Sequence, residues 1–260
     1  MSSLPDTYPV EYIEWKVNFF GRDYLVTPDV LIPRLETESL VRRARQILCV
    51  PVMSSEVITE ARRLAQKTEQ DFSITKWQSK TIVVDIGCGS GIIGTSVADL
   101  ADEVIFLDIS PAALAVAETN FRTHYPEKRA QFIVSDLLSV FLDSTILPVY
   151  QPTRLLFLTN LPYIKAEDWN HMSADTVHEP RLALFGGERT GFEMYERLFE
   201  EFSALANLPS YQSTSLLFEF GFDQREIAEA VVQKYPQWEY SFFADYAGIE
   251  RFGEILIQTV

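Results

Sequence analysis

The period of the apolar positions changes near residue 80. Before it, an aromatic, extended-looking stretch at residues 12–32 leads into two helix-like patterns, at about 36–48 and 54–68. Beyond it, apolar β-branched runs alternate with helical ones. Residues 81–86 read as a strand followed by a glycine turn and a helix over 92–100, and residues 104–107 as a strand followed by a helix over 111–124. Residues 132–134 and 154–158 read as the third and fourth strands, and 216–220 with the helical 223–234 as a fifth strand and its helix. Such alternation predicts an α/β fold with a mostly parallel, doubly wound sheet. The end differs, because 238–243 and 252–258 are two strands with no helical pattern between them, which predicts an antiparallel C-terminal strand pair. The change of texture divides the chain into a short N-terminal extension, residues 1–75, and a main domain, residues 76–260.

With 260 residues, 47% of them hydrophobic and 13% aromatic, the chain has enough apolar material for a packed core. The sequence lacks an apolar run long enough to span a bilayer and the basic start of a signal peptide, so a soluble, cytoplasmic protein is expected. Cys49 and Cys88 form no CxxC pair, and His124, His171 and His178 are scattered; neither a disulfide framework nor a metal site is expected. The net charge of −15 disfavours binding along a phosphate backbone, so nucleic acid is an unfavoured direct substrate.

The most informative turn is Asp85-Ile86-Gly87-Cys88-Gly89-Ser90-Gly91, between an apolar strand and a helix. Glycines there let the backbone bend sharply and approach a ligand at the carboxyl edge of the sheet. The run Gly89-Ser90-Gly91-Ile92-Ile93-Gly94 also fits a dinucleotide pattern, so an NAD-type cofactor is a competing reading. Asp85, two residues before the first glycine, resembles the acidic residue that opens the methyltransferase glycine motif, which favours S-adenosyl-L-methionine. Asp108 closes the second strand, where a carboxylate can accept both ribose hydroxyls or cap the next helix; Ser110 before Pro111 already suits the cap. Asp136, after the third strand, could bind the adenine amine or cap a turn.

After the fourth strand comes Asn160-Leu161-Pro162-Tyr163, on the same edge of the sheet. An amide nitrogen is a poor nucleophile because its lone pair is delocalised, so a catalyst must aim that lone pair at the methyl donor. Asn160 can accept one N–H through its side-chain oxygen and a backbone carbonyl of the tetrapeptide the other, while Pro162 biases Leu161 toward extended backbone. Tyr163 can pack against the planar group. The plain alternative is a turn after a strand.

With these residues in place the chain resembles the HemK/PrmC family of protein glutamine methyltransferases over nearly its whole length. Phe19-Phe20-Gly21 and Leu31-Ile32-Pro33-Arg34-Leu35-Glu36-Thr37-Glu38 are similar to the family's upstream segments, with Arg34 and Glu36 bordering the active site. Glu179-Pro180-Arg181, Gly186-Gly187, Gly191-Phe192-Glu193-Met194-Tyr195, Glu219-Phe220-Gly221 and Asp245-Tyr246-Ala247-Gly248 resemble its downstream segments. The resemblance implies the class I S-adenosylmethionine-dependent methyltransferase fold, residues 76–260 as the catalytic domain, and methylation of the glutamine of a Gly-Gly-Gln motif in a peptide-chain release factor. It implies a cofactor set of Asp85, Gly87, Gly89, Gly91, Asp108, Asp136 and Asn160, a catalytic set of Asn160, Pro162 and Tyr163, and acceptor contacts from Leu161, Arg34 and Glu36. The sequence departs from the family at two places. Leu161 stands where the family has proline, a form also seen in rRNA adenine dimethyltransferases. The segment before Tyr12 is also too short for the family's helical N-terminal domain. Methylation of an exocyclic amine of adenine or guanine, or a non-catalytic methyltransferase-like subunit, are the alternatives.

Overall fold

The computed structural model describes residues 7–49, 80–142, 153–173, 176–206 and 213–258; the helix expected at 54–68 and the boundary near residue 75 lie outside the described residues. The N-terminal stretch folds into helix α1 (Val10–Glu14), a hairpin of β1 (Val17–Phe19) and β2 (Arg22–Tyr24), and helix α2 (Thr37–Leu48). The hairpin turns at Phe20 and Gly21, with φ of 49° and 74°, the sign that a type I′ turn requires at both positions. Helix α2 is made of helix-favouring residues without Gly or Pro, and its buried Leu40, Val41 and Ala44 recur on one side. That side joins Phe19 and Tyr24 of the hairpin in a shared core with the sheet.

Strand β3 (Lys80–Ile86) is buried without alternation from Ile82 to Ile86, as expected of a central strand covered on both faces. Helix α3 (Ile92–Val97), extended by a 3-10 turn at Ala98–Leu100, leads to β4 (Glu103–Asp108), and helix α4 (Pro111–His124) leads to β5 (Ala130–Val134). Helix α5 (Ser139–Leu142) precedes β6 (Thr153–Thr159). Beyond β6, β7 (Ile164–Lys165) pairs in parallel with β8 (Phe185–Gly187). The chain ends with helix α6 (Glu193–Ala206), β9 (Ser213–Glu219), helix α7 (Arg225–Val232), β10 (Glu239–Ala244) and β11 (Glu250–Gln258). Helix α6 has no counterpart in the elements read from the sequence. Its apolar Tyr195, Leu198, Phe199, Phe202 and Leu205 nonetheless follow a helical period and are buried.

Among the described residues seven strands form one sheet in the order β10-β11-β9-β6-β3-β4-β5. The pairings from β5 through β9 are parallel, and β11 lies antiparallel between β9 and β10. The expected antiparallel closing pair is therefore present, with the last strand inserted inside the sheet rather than added at its edge. This is the class I methyltransferase fold. From β3 the chain winds outward through β4 and β5, then returns to the other side of β3 as β6. That reversal opens a crevice beyond the carboxyl ends of β3 and β6, where open α/β sheets hold ligands. No helix among the described residues is long and apolar enough to cross a membrane.

Candidate active site

Strand register places the two chemical motifs side by side. Ile86 of β3 is the partner of Thr159 in β6 and of Leu107 in β4, so Gly87, Asn160 and Asp108 leave the sheet as neighbours. Gly87 turns at φ 62°, which favours glycine, and a Cβ there would lie 2.8 Å from Leu161 Cδ2, so the glycine turn and the tetrapeptide meet closely at this position. The Gly89 N–H donates to Asp108 Oδ2 at 2.9 Å and the Ser110 N–H to Asp108 Oδ1 at 2.9 Å. Burial raises the Asp108 pKa and these backbone donors oppose it. Each carboxylate oxygen keeps a further lone pair for a ligand hydroxyl. The helix-cap role falls to Ser110, whose Oγ accepts the Ala113 N–H at 3.2 Å.

Two residues expected at the cofactor, Asp85 and Gly91, stand outside the wall of the cavity described below. Asp85 is fully buried and accepts the Gly94 N–H through Oδ2 at 2.8 Å, which satisfies an otherwise unpaired donor in the first turn of α3. Its Oδ1 has no hydrogen-bond partner among the described residues, and burial pushes its carboxyl up to about 8. Gly91 faces α4, where a Cβ would lie 2.8 Å from Ala117 Cβ, so its role is close helix packing.

On the opposite wall, Asn160 Nδ2 donates to Thr37 Oγ1 at 3.3 Å. The Leu161 N–H donates to Tyr195 Oη at 2.9 Å, and that hydroxyl donates onward to the Glu219 carbonyl. Gln224 Nε2 donates to the Tyr163 carbonyl at 3.0 Å. The segment from Pro28 to Thr37 closes over this wall as a strap. Its Ile32 N–H donates to Glu179 Oε2 at 2.9 Å, Arg34 forms an ion pair with the buried Glu179, and the Val30 carbonyl accepts from Tyr12 Oη at 2.6 Å. Tyr163 and Glu36, expected to touch the acceptor, are absent from the cavity wall; the Tyr163 ring packs beside Gly221 instead.

Between the walls lies a cavity of about 430 Å³. Gly87, Gly89 and Asp108 line one side, Asn160, Leu161 and Pro162 the other, with Arg34 and Thr37 contributed by the strap. Asp136 stands at its rim, where it pairs with Arg197 at 2.8 Å; both side chains are about half exposed (46% and 48%). Beside it Leu137 takes φ 51°, uncommon for a branched side chain, and its carbonyl accepts from Ser135 Oγ at 2.9 Å. With Ile109 it forms an apolar ledge. Thr37, Ile109, Glu179, Tyr195 and Arg197 thus join the site although their roles could not be read from the sequence. The Glu-Pro-Arg segment carried a signal for Glu179, but nothing in it names Ile32 and Arg34 as partners.

The cavity fits S-adenosylmethionine: a carboxylate with spare lone pairs at the end of β4, a turn bare of side chains, and an apolar ledge for a flat base. Gly94 serves close packing of α3 on the sheet, since a Cβ there would lie 2.7 Å from Phe106 Cε1, a requirement that either cofactor reading shares. The family description "Methyltransferase small domain" matches residues 62–146. A solved structure described as "Human methyltransferase 10 domain containing protein" is similar in fold, with a TM-score of 0.56 and 11% identity over 93% of this chain and 90% of that one. The chain is 29% identical over 256 residues to a release factor glutamine methyltransferase of Enterococcus faecalis, covering 96% of this chain and 76% of that protein. The cofactor is S-adenosylmethionine. A release factor glutamine methyltransferase of Bacillus anthracis is 32% identical over 255 residues, 95% of this chain and 76% of its own length, and with this similarity the chain belongs to the family of release factor glutamine methyltransferases.

Proposed function

We propose that the chain methylates the side-chain amide nitrogen of the glutamine in a Gly-Gly-Gln motif of a peptide-chain release factor, in the cytoplasm where such factors work. The observation that carries this reading is one cavity in which Gly87, Gly89 and Asp108 face Asn160, Leu161 and Pro162. When bound, S-adenosylmethionine supplies a methyl group made electrophilic by its sulfonium. Asp108 would accept the ribose hydroxyls, the glycine turn would leave room for the ligand, and Asp136, Arg197 and Ile109 would hold the base. Asp85 and Gly91 hold this turn in place from behind.

Asn160 Oδ1 accepts one N–H of the substrate amide and a tetrapeptide carbonyl accepts the other, which turns the nitrogen lone pair toward the methyl donor. Pro162 keeps Leu161 extended so that this geometry exists before substrate arrives. Tyr163 supports the loop from below, and Arg34 and Glu36 belong to the strap that fences the amide from water. The nitrogen sheds its surplus proton to solvent after bonding, so alignment matters more than a strong base. Protein is favoured over nucleic acid because a net charge of −15 repels a phosphate track, whereas a glutamine on a loop needs only a narrow slot.

Labelled S-adenosylmethionine added with the protein to a cell extract tests this directly. Label should appear in a protein of release-factor size and be removed by protease. Removal by nuclease alone would assign the site to an exocyclic amine of a base.

A further inference from the structure

Beneath Asn160, at the end of β9, Glu219 is 1% exposed, and its Oε2 has no hydrogen-bond partner among the described residues. Thr159 of β6 is the register partner of Phe218 in β9, so Asn160 and Glu219 are neighbours where the two strands end. The Thr37 hydroxyl and the Asn160 side chain favour the ionised form of its carboxyl. Arg251 of β11 does so by charge, and Glu36 opposes it. The Tyr163 and Tyr195 hydroxyls lie within its field, and Arg251 is shared with Asp245 at 2.9 Å. Backbone ties make the arrangement stiff. Tyr195 Oη joins the Glu219 carbonyl to the Leu161 N–H, so the end of β9 and the tetrapeptide are fastened at one hydroxyl.

The two ends of an asparagine carboxamide have nearly the same shape, and only their hydrogen-bond partners decide which end faces which way. If Nδ2 of Asn160 met the substrate, two donors would oppose each other and the amide could not be held. An ionised carboxylate accepts only, so it attracts the Nδ2 end. We propose that Glu219 is a positioning residue: its carboxylate, acting with Thr37, keeps Nδ2 of Asn160 turned inward and so presents Oδ1 to the amide that is methylated. This rests on the glutamine reading of the site. Nδ2 is already turned toward Thr37, at 3.3 Å.

Burial pushes the Glu219 carboxyl up to about 7, against the opposing effects of Thr37, Arg251 and Asn160. Once protonated it can donate to Oδ1, and the preference for the productive orientation is lost. Turnover therefore rises as pH rises through about 7. The test begins with cofactor-free protein, in which the Asn160 side-chain amide resonances, assigned with Asn160→Asp, are followed against pH. They should titrate with a midpoint near 7 in the wild type and stay flat in Glu219→Gln. With a Gly-Gly-Gln-bearing release factor as substrate, Glu219→Gln should lose about tenfold or more in kcat, keep KM within about threefold, and lack the acidic limb of the pH profile. Thr37→Val keeps the carboxylate and removes a group that lowers its pKa, so it should move the limb to higher pH even if Glu219→Gln does not fold. Amide resonances indifferent to both pH and the Glu219 substitution, or a limb unmoved in both variants, would overturn the proposal. A normal amide titration in a protein that methylates no glutamine would reject the substrate reading and leave the Glu219–Asn160 coupling standing.

Discussion

The two walls of the cavity are built in different ways. Around the glycine turn of the cofactor wall the bracing contacts are local: Gly94 to Asp85 spans 9 residues and Gly89 to Asp108 spans 19. On the acceptor wall they are distant: Asn160 to Thr37 spans 123 residues, Arg34 to Glu179 spans 145 and Ile32 to Glu179 spans 147. A strand, a glycine turn and a helix are enough to make the first wall, because parallel register brings β3 and β4 together. The second needs the N-terminal strap, the end of β9 and the segment before β8 to meet over one tetrapeptide. Cofactor binding and acceptor positioning should therefore respond separately to substitution.

The strongest break is Asn160→Ala, which removes the acceptor oxygen and should lower single-turnover rates by about 100- to 1,000-fold. Calorimetry should show cofactor affinity changed far less. Equal losses in both would erase the division between the walls. Asp108→Ala attacks the other wall, where ribose hydroxyls would lose a charged acceptor worth about 1.5–3 kcal/mol. Its effect should fall on the cofactor dissociation constant, while the rate at saturating cofactor stays within a few-fold of wild type. An unchanged dissociation constant in a folded variant would remove Asp108 from the site.

Glu179→Ala probes the strap. It leaves the Ile32 N–H without its acceptor and Arg34 without its partner, with an expected stability loss of about 1–2 kcal/mol. Acceptor KM should rise as the strap loosens, and cofactor affinity should move less; the reverse pattern would show that the strap serves the cofactor.

The smallest effect on activity is expected behind the glycine turn, where the readout is stability. Asp85, held at about 8 when folded, keeps a proton there that the unfolded chain, near the ordinary value of about 3.9, has released. The folded state binds more protons across that window, so stability falls as pH rises from about 4 to about 8. Asp85→Asn retains an acceptor for the Gly94 N–H and cannot titrate. Its melting temperature should decline less over the same range; parallel curves for the two proteins would contradict a neutral, buried Asp85.

What could be read from the sequence follows the same division. The strand-turn-helix at 81–100, the neighbouring acidic strand end at Asp108 and the cap at Ser110 depend on contacts a few residues apart, and period and turn chemistry describe them. The tetrapeptide was recognisable as a unit, but not what orients it: Thr37, Tyr195 and Glu219 come from elements whose approach depends on strand order. The insertion of β11 between β9 and β10 was hidden for the same reason, since a period of two marks a strand without naming its neighbours. Helix α6 is a different case, because its apolar period is present in the sequence. Asp85, Gly91 and Tyr163 show that a motif can mark a site through residues standing behind its wall. Asp136 shows a related effect: an acidic residue after β5 is legible, and its pairing with Arg197, 61 positions away, is not.

The central claim is that both walls act on one amide nitrogen. Purified protein, S-adenosylmethionine and a release factor bearing Gly-Gly-Gln, followed by mass spectrometry of the digested factor, test it most directly. One methyl group on the amide of that glutamine, absent with a Gln→Ala factor and strongly reduced with Asn160→Ala enzyme, is the result expected. A factor that stays unmodified at saturating enzyme, while the methyl group appears on added RNA or DNA, would contradict it.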